Sequence, residues 1–181
     1  MILSIPYQAL EIGNIHLTPF QFDKYGKSLA RLSYKDNSLD FHDVSILTPP
    51  LKIIDYNPEN SRLRIDLSEQ CNFQIKLATF QEYLVSTFFT HQHSFLSLHN
   101  QSHDIIHSLF HFLLNESTLC LYIFPTTLVK KCDETMCKIS ELKPGDSIRC
   151  ILRLQGVSQI NHKNGTFMRL QHSVPAIWLT S

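Results

Sequence analysis

The first 76 residues read as strands, in short runs that are rich in β-formers or that alternate apolar and polar positions with a period near two. The runs are Asn14–Pro19, Ser28–Tyr34, Leu39–Leu47, Leu51–Tyr56, Arg62–Leu67 and Cys71–Leu77. Turn chemistry separates them at Lys35-Asp36-Asn37, Thr48-Pro49-Pro50 and Asn57-Pro58-Glu59-Asn60. In Arg62–Leu67, Leu63, Ile65 and Leu67 fall on one face and Arg62, Arg64 and Asp66 on the other.

The period then changes. Thr79-Phe80-Gln81-Glu82 has the form of a capping box and predicts a helix to about Phe89. Ser102 or Asn100 is placed to cap a second helix over His103–Leu114, with Ile106, Leu109, Phe110 and Leu113 as its apolar stripe. Alternation returns at Leu119–Phe124, Ser147–Leu154 and Thr166–His172, and Asn161-His162-Lys163-Asn164-Gly165 predicts a turn between the last two. The fold class expected is mainly β with inserted helices (α+β), a barrel or curled sheet. It forms one domain over residues 1–181 with a helical insertion at about 79–115. No internal repeat, low-complexity segment or long linker divides the chain.

Ser147–Gly156, SIRCILRLQG, poses the functional question. Ile148, Cys150, Leu152 and Leu154 make a core face. Arg149, Ile151, Arg153 and Gln155 make the other, so two arginines flank an isoleucine. In the next run Phe167, Arg169 and Gln171 share a face. Pairing the two runs would gather arginines and an aromatic ring on one surface.

Charge sharpens this. The chain has no formal net charge, so attraction to a polyanion has to come from a local patch. From residue 130 onward Lys130, Lys131, Lys138, Lys143, Arg149, Arg153, Lys163 and Arg169 stand against Asp133, Glu134, Glu141 and Asp146. Guanidinium groups that pair with phosphates and rings that stack on bases can hold a single nucleic-acid strand without reading its sequence. A solvated sheet face is the plainer use of the same residues. Lys24-Tyr25-Gly26-Lys27 reads as a turn whose Tyr25 and Lys27 could clamp a strand, leading to Arg31 and Tyr34.

Other chemistry finds less support. His99, His103, His107 and His111 recur every four residues, a helical stripe, but no His-Glu-x-x-His accompanies them. A solvated or half-buried helix face is the expectation and metal the alternative. Cys132 and Cys137 form one C-x4-C without a second pair, and the five cysteines read as reduced thiols. No glycine-rich phosphate loop or G-x-S-x-G elbow is present, so neither an enzyme nor a cofactor is expected. No apolar run approaches the roughly 18 residues of a membrane span, and MILSIPYQAL does not read as a signal peptide.

Two segments resemble a known family: LARLSYKDNSLDFHDVSILTPPLKI, Leu29 to Ile53, and ELKPGDSIRCILRLQGVSQINHKNGTFMRLQH, Glu141 to His172. In the second, Gly-Asp opens a strand of the form I-x-x-I-L-x-L-x-G, a turn with Lys and Gly follows, and a strand closes on Leu-Gln. Their order and spacing are similar to the single-stranded-DNA-binding proteins of large nucleocytoplasmic DNA viruses, the group that includes African swine fever virus. This chain departs from them at Val157-Ser158, where an apolar-aromatic pair is expected, and in ending without an acidic tail.

The resemblance implies an OB-fold-like five-stranded barrel with additional strands. It implies a non-catalytic protein that coats exposed DNA strands in viral replication, repair or recombination, in host cytoplasm or nucleus, with RNA left open as a ligand. It nominates Arg149, Arg153, Lys163 and Arg169 for phosphates and Phe167 for stacking, with Lys143, Lys27 and Tyr34 as additions. Arg149 and Arg153 are expected to line a solvated groove with Ile151 as its floor. Replication proteins or a second copy are possible partners. The alternative is a scaffold subunit of a replication or transcription complex, docking through Val174-Pro175-Ala176-Ile177-Trp178-Leu179 as an open strand. In the plainer reading Trp178 plugs the core.

Overall fold

Alternation becomes strand here wherever alternate positions can be buried. The computed structural model describes residues 3–22, 26–163 and 165–180. Eight strands come first: β1 (Ile5–Pro6), β2 (Ile15–Leu17), β3 (Gln21–Phe22), β4 (Ser28–Lys35), β5 (Asp40–Phe41), β6 (Val44–Leu47), β7 (Leu51–Asn57) and β8 (Arg62–Asp66). Helices α1 (Cys71–Thr90), α2 (Gln92–Leu96) and α3 (His103–Ser108) follow. The remainder is β9 (Phe110–His111), β10 (Leu114–Asn115), β11 (Thr118–Tyr122), β12 (Leu128–Lys130), β13 (Met136–Cys137), β14 (Ser147–His162) and β15 (Gly165–Leu179). The fold is mainly β with helices, and no helix among the described residues is long and apolar enough to cross a membrane.

Residues 71–77 correct the expectation of a strand. Cys71, Phe73, Ile75 and Leu77 alternate, yet Ile75 is 63% exposed while Phe73 and Leu77 are buried. The stripe that matters is Phe73, Leu77, Phe80, Leu84 and Phe88, at helical spacing along α1. Burying five turns on one face outweighs the local β-preference of the first seven residues. The helices therefore lie within 71–108, where the expectation is about 79–115. Thr79 caps nothing; its hydroxyl donates back to the Ile75 carbonyl at 2.9 Å.

Ser102 does cap α3, accepting the Ile105 N–H at 3.3 Å. That helix stops at Ser108, short of the expected Leu114, because the chain turns out to pair with β15. Met168 donates its N–H to the Leu109 carbonyl at 2.7 Å, and Phe110 registers with Met168. Phe88 of α1 packs against Phe95 of α2 at 4.7 Å and Phe110 of β9 at 5.1 Å, so one aromatic cluster unites this region.

The strands run β11-β8-β7-β14-β15 as successive antiparallel neighbours. The segment at the end of β11 and after it then meets β15. Tyr122 at the end of β11 donates its N–H to His172 of β15, Thr127 bonds the Val174 carbonyl, and β12 pairs parallel to β15. Along its outer edge β14 meets β7, β6 and β4 in turn. The inward side chains of these strands and of α1 share one hydrophobic core.

Candidate nucleic-acid interface

The alternation of SIRCILRLQG is realised in β14. Ile148, Cys150, Leu152 and Leu154 are all within 1% of full burial. The Cys150 thiol is pushed up to about 12 by burial, the Thr48 hydroxyl opposing, so it stays neutral and unreactive. Arg149 is exposed on the opposite side.

Register decides which residues join it. In the β14–β15 hairpin Arg149 opposes Trp178, Arg153 opposes Ser173, Ser158 opposes Arg169 and Ile160 opposes Phe167. Two register shifts, between Ile151 and Arg153 and between Leu154 and Gly156, keep Val157, Met168 and Leu170 inward past each irregularity. Arg149, Arg153, Arg169 and Phe167 are thus all outward positions of one hairpin, with Arg149 toward its open end beside Trp178, and Arg169 and Phe167 toward its turn. Arg31 of β4, opposite Gly156, extends the face, and His111 of β9, opposite Arg169, borders it. Close approach of β4 depends on Gly156, since a Cβ there would run into the Ala30 carbonyl oxygen.

The nominated residues are not equivalent. Arg149 and Arg169 are exposed, and among the described residues no carboxylate pairs with either of them or with Arg31. Arg153 is half-buried; its Nε lies 3.2 Å from Asp43 and donates to Ser45 Oγ at 3.3 Å. That pair neutralises most of the charge expected to meet a phosphate. Ile151 is only 4% exposed, between Leu47 of β6 and Ala176 of β15, so it is not an open apolar floor. A residue on a central strand is closed in from both sides, which alternation within one strand does not reveal.

Lys163 is exposed in the hairpin turn, and Lys143 is exposed in the turn leading into β14. Lys27 is exposed just before β4, whereas Lys24 and Tyr25 lie outside the described residues. Phe167 is half-buried, its ring meeting His111 edge-on at 5.0 Å. Tyr34 drops out of the surface set. It is 2% exposed, because Ala30, Leu32 and Tyr34 are the inward positions of β4, and its hydroxyl meets Asn14 at 3.4 Å.

The histidine stripe disperses. His103 and His107 share α3, His99 precedes it, and His111 is in β9. Their neighbours are Glu82 for His103 at 2.9 Å, Phe112 for His107 and His93 for His99. No group of three or more metal-ligating side chains assembles among the described residues. Cys132 Sγ sits 3.2 Å from the Leu179 carbonyl, and burial, then Glu141, raise the Cys137 thiol. Val174–Leu179 is not an open strand either: Ala176, Ile177 and Trp178 are paired to β14 on one side and β12 on the other. Trp178 points away from the core, opposite to the buried Ile177.

One feature of the outer surface escaped the sequence reading. Arg62 of β8 lies over the Tyr122 ring of β11 at 5.6 Å, and Tyr122 meets Phe124 at 4.7 Å, with Phe124 42% exposed. The outward parity of Arg62 was legible; its partner on a strand 60 residues away was not.

Comparison with known proteins returns no match to a family model, a curated protein or a solved structure.

Proposed function

We propose that this chain is a non-catalytic, sequence-tolerant single-stranded-DNA-binding protein built on an OB-type barrel. The ring order β11-β8-β7-β14-β15, with β12 running parallel to β15, supports a five-stranded closed barrel with strands added to it. The observation that carries the reading is that Arg149 and Arg169, both outward on this hairpin, pair with no carboxylate among the described residues, with Arg31 near Arg169. The Arg62–Tyr122–Phe124 cluster extends the same chemistry, cation beside ring, onto neighbouring strands. Such a surface holds phosphates by charge and bases by stacking, and it makes no demand on base identity. Coating exposed strands during viral DNA replication, repair or recombination is the role that fits this chemistry and the resemblance.

The test is a titration of fluorescently labelled single- and double-stranded oligonucleotides at two ionic strengths. Preferential binding of the single strand, weakening steeply with salt, is expected. If about three to five phosphates are engaged, log K falls against log salt with a slope of about −2 to −3.5. Affinity that barely changes with salt, or no preference for the single strand, would overturn the proposal.

A further inference from the structure

Trp178 is the only tryptophan of the chain and it lies on the outward face of β15. In register it stands between Arg149 of β14 and Lys130 of β12. Adjacent strands are about 4.8 Å apart, so the three side chains form one row across the sheet, cation, ring, cation. The next row is Ile151, Ala176 and Leu128, of which Leu128 is 47% exposed. Ala176 leaves little side chain beside the ring on that flank.

The indole is uncommitted. It is half-buried and stands outside the hydrophobic core, while Ile177 and Leu179 on either side of it pack inward. Among the described residues its Nε1–H has no hydrogen-bond partner, no aromatic ring contacts it, and neither flanking cation lies over its face. No buried side-chain nitrogen or oxygen among the described residues lacks a partner, so this N–H is open to solvent. Phe167, the ring singled out from the sequence, is instead engaged with His111.

We propose that Trp178 is the primary base-stacking residue of the interface, with Arg149 and Lys130 holding the phosphates on either side of the stacked nucleotide. Arg149 has no carboxylate partner, and Lys130 can exchange its solvent-exposed partner Glu134, at 2.7 Å, for a phosphate. This rests on the reading of the protein as a single-strand binder and assigns the place where a base is held.

The chain's sole tryptophan makes the test direct. Labelled oligo(dT) is titrated against the full chain at low salt, following oligonucleotide anisotropy and intrinsic tryptophan emission together. Emission is expected to be quenched and blue- or red-shifted in step with the anisotropy. Trp178→Ala is expected to weaken binding about 5- to 150-fold, the range for losing one stacked base. Trp178→Phe, which keeps a ring and a similar packing footprint, is expected to stay within a few-fold of wild type. Binding by anisotropy with unchanged tryptophan emission, and a Trp178→Phe affinity no better than that of a folded Trp178→Ala, overturns the stacking role but leaves strand binding intact. Absence of any anisotropy change at low salt overturns the underlying reading as well. If Trp178→Ala does not fold, the emission of the wild-type chain decides alone.

Discussion

His172 Nε2 accepts the backbone N–H of Tyr122 at 2.8 Å, and that bond joins the end of β11 to β15. With Nε2 accepting, the proton sits on Nδ1, which faces the Leu170 carbonyl at 3.5 Å. The residue is 9% exposed. Burial lowers its pKa to about 4; the Leu170 carbonyl opposes the shift, and the positive charges of Arg62 and Arg169 add to it.

A pH dependence follows. The folded imidazole binds its proton more weakly than the unfolded one, whose ordinary value is 6.5. Stability from this group is therefore complete above about pH 6.5 and is lost as pH falls toward 4, after which it levels off. The span corresponds to about 3 kcal/mol. Denaturant unfolding at pH 7.5 and 4.5 measures it, and His172→Gln, which keeps an acceptor and cannot charge, is expected to remove most of the difference. An equal loss in both proteins would assign the effect to carboxylates instead.

Arg149, Arg169 and Arg153 separate by role. Arg149→Ala and Arg169→Ala should each reduce the salt slope of oligonucleotide binding by about 0.7 with unfolding midpoints unchanged. Arg153→Ala should do the reverse. It removes the cation beside Asp43, leaving that carboxylate the Ser45 hydroxyl alone, costs about 1 kcal/mol of stability, and has the smallest effect on the slope. A steeper loss of binding in Arg153→Ala than in Arg149→Ala would contradict this division.

Gly156→Ala tests the junction between β4 and β14. The added methyl meets the Ala30 carbonyl, a backbone atom that cannot rotate away. A loss of about 1–3 kcal/mol is expected in chemical denaturation. Wild-type stability in this variant would mean that β4 does not cross where described.

Thiol labelling reports the core directly. Cys71 and Cys132 are exposed and should react with a thiol reagent in the native protein. Cys150, buried and held neutral near a pKa of about 12, should react only after unfolding. Rapid labelling of Cys150 would place its strand face outside the core.

Local pattern carried much of this fold. The inward face Ile148, Cys150, Leu152 and Leu154 was legible because a period of two lets one strand bury one side. The runs Arg62–Leu67 and Leu51–Tyr56 were legible for the same reason. Residues 71–77 were not, since Cys71, Phe73, Ile75 and Leu77 satisfy either period. Only the stripe continuing through Phe80, Leu84 and Phe88 shows which one the core uses.

By itself the sequence determined the parity of β8 and of the first part of β14, the positive charge near the chain's end and the turn at Lys163. Pairing decided the rest. Periodicity assigns a residue to a side of its own strand but says nothing of what lies alongside. That is why Arg153 is matched to Asp43, Ile151 is closed in by Leu47 and Ala176, and Trp178 faces outward between Arg149 and Lys130. Those neighbours come from strands up to about a hundred residues apart, brought together by burial of a shared core that no local window contains.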